Sequence, residues 1–399
     1  MKTVTVTWIY YNNYGTELQA YSLQSFLKDK GIENKILWDK EIISAKRRSA
    51  SVEQSVTNPP AMSKAEGKIK KLLRKVKRYL FNPKAVFQVL SDYIKARSKK
   101  RNIFDESQKL FENFKSSYLS IDYDCSVETL GEINDRYDVF ITGSDQIWSP
   151  LDINFNGYFY LDFVTKKKVS YAPSLGTDEI SPEKKAKIKQ WLSTYSAISV
   201  REKSSTLVLS ELTQRDVVHV CDPTLLHDKE FWTEFCQDVS LQTPRRYICC
   251  YFLSNRDWYF DYAYALAKFL GCRLVLIPTS VSFIKKKGYA KFPVGPKEFV
   301  KLIKEASFVL TDSYHASIFS VLFEKQFLYL KRFKDTDENC QNIRIYSLFE
   351  KLGLSHLIVS EKDFQKDDVQ HLAYQEIKAK LMSFREDSRQ FLLTALENE

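Results

Sequence analysis

The segment Ser307–Lys325, SFVLTDSYHASIFSVLFEK, contains a strand, a polar loop and a helix in one short run. Its first residues are apolar and β-branched, as in a buried strand. From Tyr314 onward the apolar residues continue for long enough to form a core helix. This unit predicts an α/β fold, and its polar residues are expected at the carboxyl end of the strand, where open parallel sheets bind ligands.

Strands and helices alternate along most of the 399 residues. The first series has expected strands at TVTVTW near the N-terminus, Tyr137–Gly143, Lys167–Ser174, Ala197–Glu202 and Asp216–Pro223. The second series starts near Pro244 and includes an expected helix at Asp257–Leu270. Alternation of this kind predicts mainly parallel sheets, and the length favours two domains. We expect an N-terminal α/β domain at 1–225, a C-terminal α/β domain at 230–360 and a helical segment at 361–399.

The net charge of +10 is concentrated in one part of the chain. Residues 64–101 hold fourteen lysines and arginines and two acidic residues, a net charge of +12. Apolar residues at helical spacing predict a basic amphipathic helix at Lys64–Leu80, inside a helical insert at about 59–115. Two interpretations stay open, a solvated helix packed on a domain or a surface that contacts anionic lipid or another polyanion. No nucleic-acid partner is expected.

Several classes of protein are disfavoured by the sequence. It has no run of eighteen apolar residues and no signal-peptide pattern, so we expect a cytoplasmic protein. Five scattered histidines at no ligand spacing predict no metal site. Neither a dinucleotide fingerprint nor a Walker loop occurs, and no cofactor is expected.

Polar clusters follow several of the expected strands. They are NNYGTE after the first strand, GSDQIW (Gly143–Trp148) at the end of the expected strand Tyr137–Gly143, RE at Arg201 and Glu202, and TDSYH in the opening segment. Thr16 with Gln19 has the pattern of a capping box, which places a helix start there. His315 would be a proton donor or a phosphate ligand at a helix N-terminus. The alternative is an ordinary capped core helix that happens to carry one histidine.

Taken in order, the pieces resemble the polysaccharide pyruvyl transferase family. The matching segments are NNYGTELQAYSLQSFL, VFITGSDQIWSP, YFYLDFV with KKVSYAPSLGTDEI, ISVREKSS, VCDPTLL, FVLTDSYHASIFSVLFEKQFLYL and NIRIYSLFEKLGL. Together they cover nearly the whole chain outside the basic insert. The resemblance implies two facing Rossmann-like domains, similar to GT-B glycosyltransferases, with the site in the cleft.

The activity that the resemblance implies is transfer of a pyruvyl group from phosphoenolpyruvate to two hydroxyls of a sugar, which forms a ketal and releases phosphate. The acceptor would be a sugar or a lipid-linked oligosaccharide in the synthesis of a cell-surface polysaccharide such as a capsule or exopolysaccharide. The basic segment 64–101 would then contact the anionic inner face of the membrane. Alternatives are a GT-B-like glycosyltransferase that uses a nucleotide sugar, and a non-catalytic assembly or membrane-adaptor protein.

The resemblance and the strand-end rule together suggest site residues in three roles. The expected catalytic residues are His315, which matches the family's motif histidine, and Asp145. The expected donor-binding residues are Ser313, Tyr314, Arg344, Arg201, Lys331 and Arg256. The expected acceptor-binding residues are Asn13, Gly15 and Gln146. Some family members carry an arginine where this chain has Ser313, and Arg344 or Arg256 would replace that contact.

The basic helix gives the first testable prediction. The full-length protein should co-sediment with vesicles that contain anionic lipid and dissociate as salt is raised, because Lys64–Leu80 combines an apolar face with a high positive charge. Equal co-sedimentation with neutral and anionic vesicles would contradict the prediction.

Overall fold

The computed structural model describes residues 1–38, 102–126, 128–152 and 155–397. The basic helix predicted at Lys64–Leu80 lies outside the described residues. None of the helices within the described ranges is long and apolar enough to span a lipid bilayer.

The first half of the chain forms a parallel sheet with helices between its strands. Its elements are β1 (Lys2–Val6), α1 (Tyr14–Asp29), β2 (Glu33–Leu37), α2 (102–118), β3 (Ile121–Asp122), β4 (Val139–Thr142), β5 (Lys167–Ser170), α3 (Pro182–Leu192), β6 (Ile198–Val200), α4 (Lys203–Thr213) and β7 (Val217–His219). The strand order is β3-β2-β1-β4-β5, and β6 pairs with β7. Hydrogen bonds from Ser196 N–H to the Lys168 carbonyl (2.8 Å) and from Ser170 N–H to the Ala197 carbonyl (3.1 Å) continue the sheet from β5 toward β6.

The second half forms a second parallel sheet. Its elements are α5 (Lys229–Phe235), β8 (Tyr247–Tyr251), α6 (Asp257–Leu270), β9 (Arg273–Ile277), α7 (Val281–Ile284), β10 (Tyr289–Ala290), α8 (Pro296–Glu305), β11 (Phe308–Thr311), α9 (Tyr314–Leu322), β12 (Phe327–Leu330), α10 (Ile343–Leu352), β13 (Ile358–Val359) and α11 (Tyr374–Glu397). The strand order is β10-β9-β8-β11-β12-β13. Both sheets therefore have the Rossmann strand order. The second and third strands lie on one side of the first strand, and the fourth lies on its other side, so the switch point of each sheet is between its first and fourth strands. The prediction of parallel α/β structure is confirmed.

The quoted segment forms β11 and α9. Its polar residues lie at the switch point of the second sheet, between β8 and β11. The Ser313 hydroxyl caps α9 by accepting a hydrogen bond from Ala316 N–H at 3.4 Å. The Asp312 carboxylate accepts hydrogen bonds from Leu253 N–H (2.6 Å) and Ser254 N–H (2.9 Å), which belong to the loop after β8. Asp312 thus ties the loops after β8 and β11 together.

Helix α1 begins earlier than the capping-box pattern predicts. Asn13 is the N-cap, and its side-chain oxygen accepts a hydrogen bond from Thr16 N–H at 3.2 Å. Thr16 and Gln19 face inward instead. The Gln19 amide donates to the Thr7 hydroxyl (3.0 Å), and the Thr16 hydroxyl donates to Asp145 (2.5 Å). The capping-box prediction was wrong because tertiary partners on neighbouring loops use both side chains.

Helix α1 joins the two halves of the molecule. Tyr14 stacks on Phe299 of α8 with 4.7 Å between ring centroids, and its hydroxyl donates a hydrogen bond to the Val294 carbonyl at 3.3 Å. Helix α2 adds a second contact, in which Val294 N–H donates to the Ser107 hydroxyl at 2.9 Å. These contacts place α1 and α2 against the second sheet. The domain limits near residues 225–230 stay a prediction.

Helix α11 spans both halves. Near its start the Tyr374 hydroxyl donates to the Lys325 carbonyl (2.5 Å), and near its end the Leu396 carbonyl accepts from the Lys167 ammonium (2.9 Å). In its middle the buried Ser388 hydroxyl accepts a hydrogen bond from Cys221 N–H at 2.9 Å and donates one to the Phe384 carbonyl. The C-terminal helix therefore fixes the chain just before Asp222.

The contact at Ser388 can be tested by substitution. Ser388→Ala should lower the free energy of unfolding by about 1–3 kcal/mol, because the buried Cys221 N–H loses its acceptor. Met382→Ala is the control, since this side chain of the same helix is 64% exposed. Chemical denaturation measures both, and equal effects of the two substitutions would contradict the assigned contact.

Candidate functional site

A cavity of about 100 Å³ lies between the two sheets. The loops that line it follow β1, β4, β8, β11 and β12, and the start of α10 closes one side. The lining residues are Asn13, Thr16, Asp145, Gln146, Tyr251, Leu253, Asp312, Ser313, Tyr314, His315, Tyr329, Arg332, Gln341, Arg344 and Ile345. Each sheet thus contributes the carboxyl ends of the strands at its switch point, which is where α/β sheets bind ligands.

His315 is placed by the first turns of two helices. It is the second residue of α9, and its side chain reaches across to α1 in the first half of the molecule. A Cβ atom on Gly15, the second residue of α1, would lie 1.9 Å from His315 Nδ1. Only a residue without a side chain fits beneath the imidazole. Gly15, predicted to bind the acceptor, therefore lies against the His315 ring and does not line the cavity.

The other side of the His315 ring faces a buried carboxylate. His315 Nε2 lies 3.3 Å from Asp222 Oδ2, although the angle does not form a hydrogen bond. Asp222 Oδ2 also accepts a hydrogen bond from Arg201 Nη1 (2.7 Å), and Oδ1 accepts from the Thr224 hydroxyl (2.6 Å) and backbone N–H (3.0 Å). Nε2 therefore lies on the Asp222 side of the ring, and Nδ1 is the ring atom nearest to the Cβ position of Gly15.

Asp222 is ionised in this environment. Burial alone would raise its pKa, but His315, Arg201 and the Thr224 hydroxyl together hold the pKa of Asp222 well below its usual range. An ionised, immobile carboxylate fixes the orientation of a neighbouring imidazole ring.

The charge of Arg201 is balanced inside the protein. Besides Asp222, its Nε lies 3.6 Å from Glu202 Oε1, and its guanidinium group lies 4.4 Å from the centre of the Tyr314 ring. The side chain is buried and does not line the cavity. The structure therefore places Arg201, predicted to bind the donor, behind Tyr314 as a partner of Asp222.

Two other arginines face the cavity. Neither Arg344 nor Arg332 lies within ion-pair distance of a carboxylate in the part of the chain that the structure describes. Arg344 donates hydrogen bonds to the Gln341 carbonyl (3.3 Å) and side chain (3.2 Å). Burial, followed by the nearby charge of Arg201, lowers the pKa of Arg344 to about 10, so it stays protonated at neutral pH. This wall of the cavity is suited to an anion.

The two remaining predicted cations do not reach the cavity. Lys331 pairs with Asp335 at 2.5 Å. Arg256 donates a hydrogen bond at 2.7 Å to the carbonyl of Arg332 and so supports the loop after β12. Sequence reasoning selected Lys331 and missed its neighbour Arg332, which lies in the same expected position after a strand.

The opposite wall carries carboxylate and amide groups. Asp145 has a left-handed backbone conformation, with φ of 76°, and accepts the Thr16 hydroxyl on Oδ2 and Gln146 N–H on Oδ1. Unusual backbone conformations of this kind are common at active sites. The side-chain amide nitrogen of Gln146 is buried and has no hydrogen-bond partner among the described residues. Asn13 uses its side-chain oxygen to cap α1.

Three further residues of the site did not enter the sequence prediction. Asp222 lies within the motif VCDPTLL, Thr16 within NNYGTE, and Arg332 directly after the β12 strand. Two signals in the sequence could have identified these residues: membership of a segment that matches the family, and a position directly after a strand. In total the cavity brings together an imidazole, the two carboxylates of Asp145 and Asp312, two guanidinium groups without an ion-pair partner among the described residues, and the N-terminal turn of α9. Such a set can bind an anionic substrate and transfer protons to and from it.

Comparisons with known proteins agree with this arrangement. A family model described as polysaccharide pyruvyl transferase matches residues 13–332. Comparison with curated proteins gives no match. Among solved structures, UDP-GlcNAc 2-epimerase from Neisseria meningitidis, bound to UDP-GlcNAc, is similar with a TM-score of 0.50 and 11% identity, covering 100% of each chain. UDP-GlcNAc 2-epimerase from Methanocaldococcus jannaschii has a TM-score of 0.45 and 11% identity, covering 97% of this chain and 92% of the other. The first of these likenesses and the two Rossmann-like sheets confirm the GT-B-like fold.

The contact between Gly15 and His315 predicts a background-dependent effect. Gly15→Ala should lower the free energy of unfolding in the wild-type protein, because the new Cβ overlaps the imidazole ring. In a His315→Ala background the same change should raise it by up to about 1 kcal/mol, the difference in helix propensity. Chemical denaturation of the four proteins measures this cycle.

Gly131→Ala provides the control, because nothing lies within 4 Å of a Cβ at that position. Its effect should be the same in both backgrounds. The assigned contact is wrong if Gly15→Ala also has one effect regardless of the residue at 315.

Proposed function

Because the chain belongs to the polysaccharide pyruvyl transferase family, we propose that it transfers the pyruvyl group of phosphoenolpyruvate to two hydroxyls of one sugar in a polysaccharide precursor. The products are a cyclic pyruvate ketal and inorganic phosphate. The observation that carries the proposal is that His315 shares one small cavity with Arg332 and Arg344, which have no ion-pair partner within 4 Å among the described residues.

The donor carries two anionic groups, a phosphate and a carboxylate. Arg332 and Arg344 are the cations available to them, and guanidinium groups bind either anion with two hydrogen bonds. The positive end of α9, which starts at Tyr314 after the Ser313 cap, favours the same charge. A cavity of about 100 Å³ suits a compact donor better than a nucleotide sugar, since pockets for larger ligands occupy about 300–1,000 Å³.

His315 supplies the proton that starts the reaction. Its transfer to the methylene carbon of phosphoenolpyruvate creates the methyl group and an oxocarbenium-like centre at the adjacent carbon. Asp222 Oδ2 lies 3.3 Å from Nε2, and the proposal assigns the donated proton to the other ring nitrogen, Nδ1. General acid catalysis of this kind contributes about 10²–10⁴-fold.

Two hydroxyls of the acceptor then add to the same carbon. The first forms a C–O bond and gives its proton to Asp145, whose carboxylate lies on the opposite wall. The C–O bond to phosphate breaks, and the second hydroxyl closes the ketal. Asp145 passes the proton of the first hydroxyl to the departing phosphate, and the proton of the second hydroxyl replaces the one lost by His315. Asn13 and Gln146 would orient the hydroxyls.

The proposal extends to the location of the enzyme. A cytoplasmic protein held by residues 64–101 at the anionic inner membrane face would meet a lipid-linked acceptor there. In support, residues 64–101 carry a net charge of +12.

Donor identity is tested by ligand-dependent thermal stability. Phosphoenolpyruvate should raise the melting temperature by mass action, whereas UDP should not. Arg332→Ala and Arg344→Ala should each abolish the stabilisation. Lys331→Ala is the matched control, because this neighbouring cation is turned toward Asp335 and the variant should respond as the wild type does.

His315→Gln separates chemistry from binding. The variant should keep its stabilisation by phosphoenolpyruvate while kcat falls by about 10²-fold or more. Stabilisation by UDP alone would favour the nucleotide-sugar glycosyltransferase, and stabilisation by neither compound would favour a non-catalytic protein.

A further inference from the structure

The loop after β1 carries a group of aromatic side chains at the edge of the site. Trp8 is buried and packs against the edge of Phe159, with 6.1 Å between ring centroids. Tyr11 lies 5.7 Å from the Trp8 ring and 4.6 Å from the Tyr10 ring, and 36% of it is exposed. Tyr11 is therefore the accessible end of a rigid aromatic cluster.

This cluster adjoins the wall of the cavity that carries Asp145. Tyr11 lies two residues before Asn13, which lines the cavity. The loop after β1 also contacts the loop after β4, since the Thr7 hydroxyl donates to the Ser144 carbonyl at 2.8 Å. Burial, followed by the nearby carboxylate of Asp145, raises the pKa of the Tyr11 phenol far above its ordinary value. The phenol is thus neutral, and its loop packs against the loop that carries Asp145.

Two buried N–H donors accompany the cluster. The indole nitrogen of Trp8 and the side-chain amide nitrogen of Gln146 have no hydrogen-bond partner among the described residues. Buried polar groups in proteins nearly always have a hydrogen-bond partner, so such groups are expected to meet a ligand or water. Gln146 lines the cavity next to Asp145.

We propose that the exposed ring of Tyr11 is the platform on which the pyranose ring of the acceptor stacks, with its hydroxyls directed toward Asp145 and Gln146. The inference rests on the proposed function, which it deepens by assigning the residue that binds the acceptor ring. A pyranose has an apolar face of C–H groups and a polar edge of hydroxyls. An aromatic face beside a carboxylate and an amide is complementary to both.

A platform at Tyr11 would also meet a requirement of ketal formation. Two hydroxyls of one ring must reach the same donor carbon, so the ring has to be held in one orientation. A flat contact fixes the plane of the sugar, and Asp145 fixes its rotation within that plane. Tyr11 acts as a positioning residue for the acceptor and takes no part in proton transfer.

The test uses saturation-transfer NMR on the full-length protein. The probes are methyl β-D-galactopyranoside, methyl β-D-glucopyranoside and methyl α-D-mannopyranoside, each with and without phosphoenolpyruvate. At least one pyranoside should receive saturation mainly on the protons of one ring face. Tyr11→Phe should retain the signal, whereas Tyr11→Ala should weaken binding about tenfold, the scale of one aromatic contact.

Tyr264→Ala is the matched control, because this tyrosine is 41% exposed and lies on α6 of the second half. It should behave as the wild type does. Equal saturation in the wild type and Tyr11→Ala would overturn the proposal, as would saturation of UDP but of no pyranoside. So would the absence of any signal from the three pyranosides in the wild-type protein.

These outcomes are independent of the donor. Pyranoside binding that needs Tyr11, in a protein that phosphoenolpyruvate does not stabilise, would reject the proposed donor and retain the platform. Stabilisation by phosphoenolpyruvate with pyranoside binding unaffected by Tyr11→Ala would reject the platform and retain the donor.

Discussion

The buried carboxylate of Asp222 joins the parts of the molecule that form the site. Its Oδ2 atom faces both Arg201 from the first half of the chain and His315 from the second. Asp222 and Arg201 are both buried and are tolerated there because their opposite charges compensate each other at 2.7 Å. Removing either partner of such a buried ion pair costs about 3–5 kcal/mol, since the other is left as an uncompensated buried charge. The relative placement of α9 and the first sheet is therefore fixed by the same contact that orients the imidazole.

The contact with Gly15 follows from the same geometry. Both α1 and α9 begin at the switch point of a sheet, and their first turns meet at the His315 imidazole. The positive ends of two helices are thereby brought close together, which is unfavourable without negative charge nearby. Asp145 and Asp222 supply part of that charge, and an anion in the cavity would supply more. The fold itself thus creates a place where an anionic substrate is favoured.

Much of the fold could be predicted from the sequence, because alternation of strands and helices is a local property. The helix Asp257–Leu270 has the predicted bounds, and His315 lies at the end of a strand as expected. The orientation of individual side chains could not be predicted in the same way. Successive residues after a strand point to opposite sides, so Lys331 and Arg332 have different environments although both follow β12. The role of Arg201 depends on Asp222, and that of Thr16 on Asp145, which are remote in sequence.

The distribution of charge among the three arginines shows which cations remain available for the doubly anionic donor of the proposed reaction. Arg201 is neutralised by Asp222 and Glu202 and has little attraction left for a ligand. Arg344 and Arg332 lack such partners among the described residues, and the lowered pKa of Arg344 shows the cost of burying its charge. A bound anion would remove that cost. Ser313 carries no charge and caps α9. The cation that other family members place before the histidine would here come from α10 and the loop after β12, which makes Arg344 and Arg332 the residues that decide donor affinity in the proposed reaction.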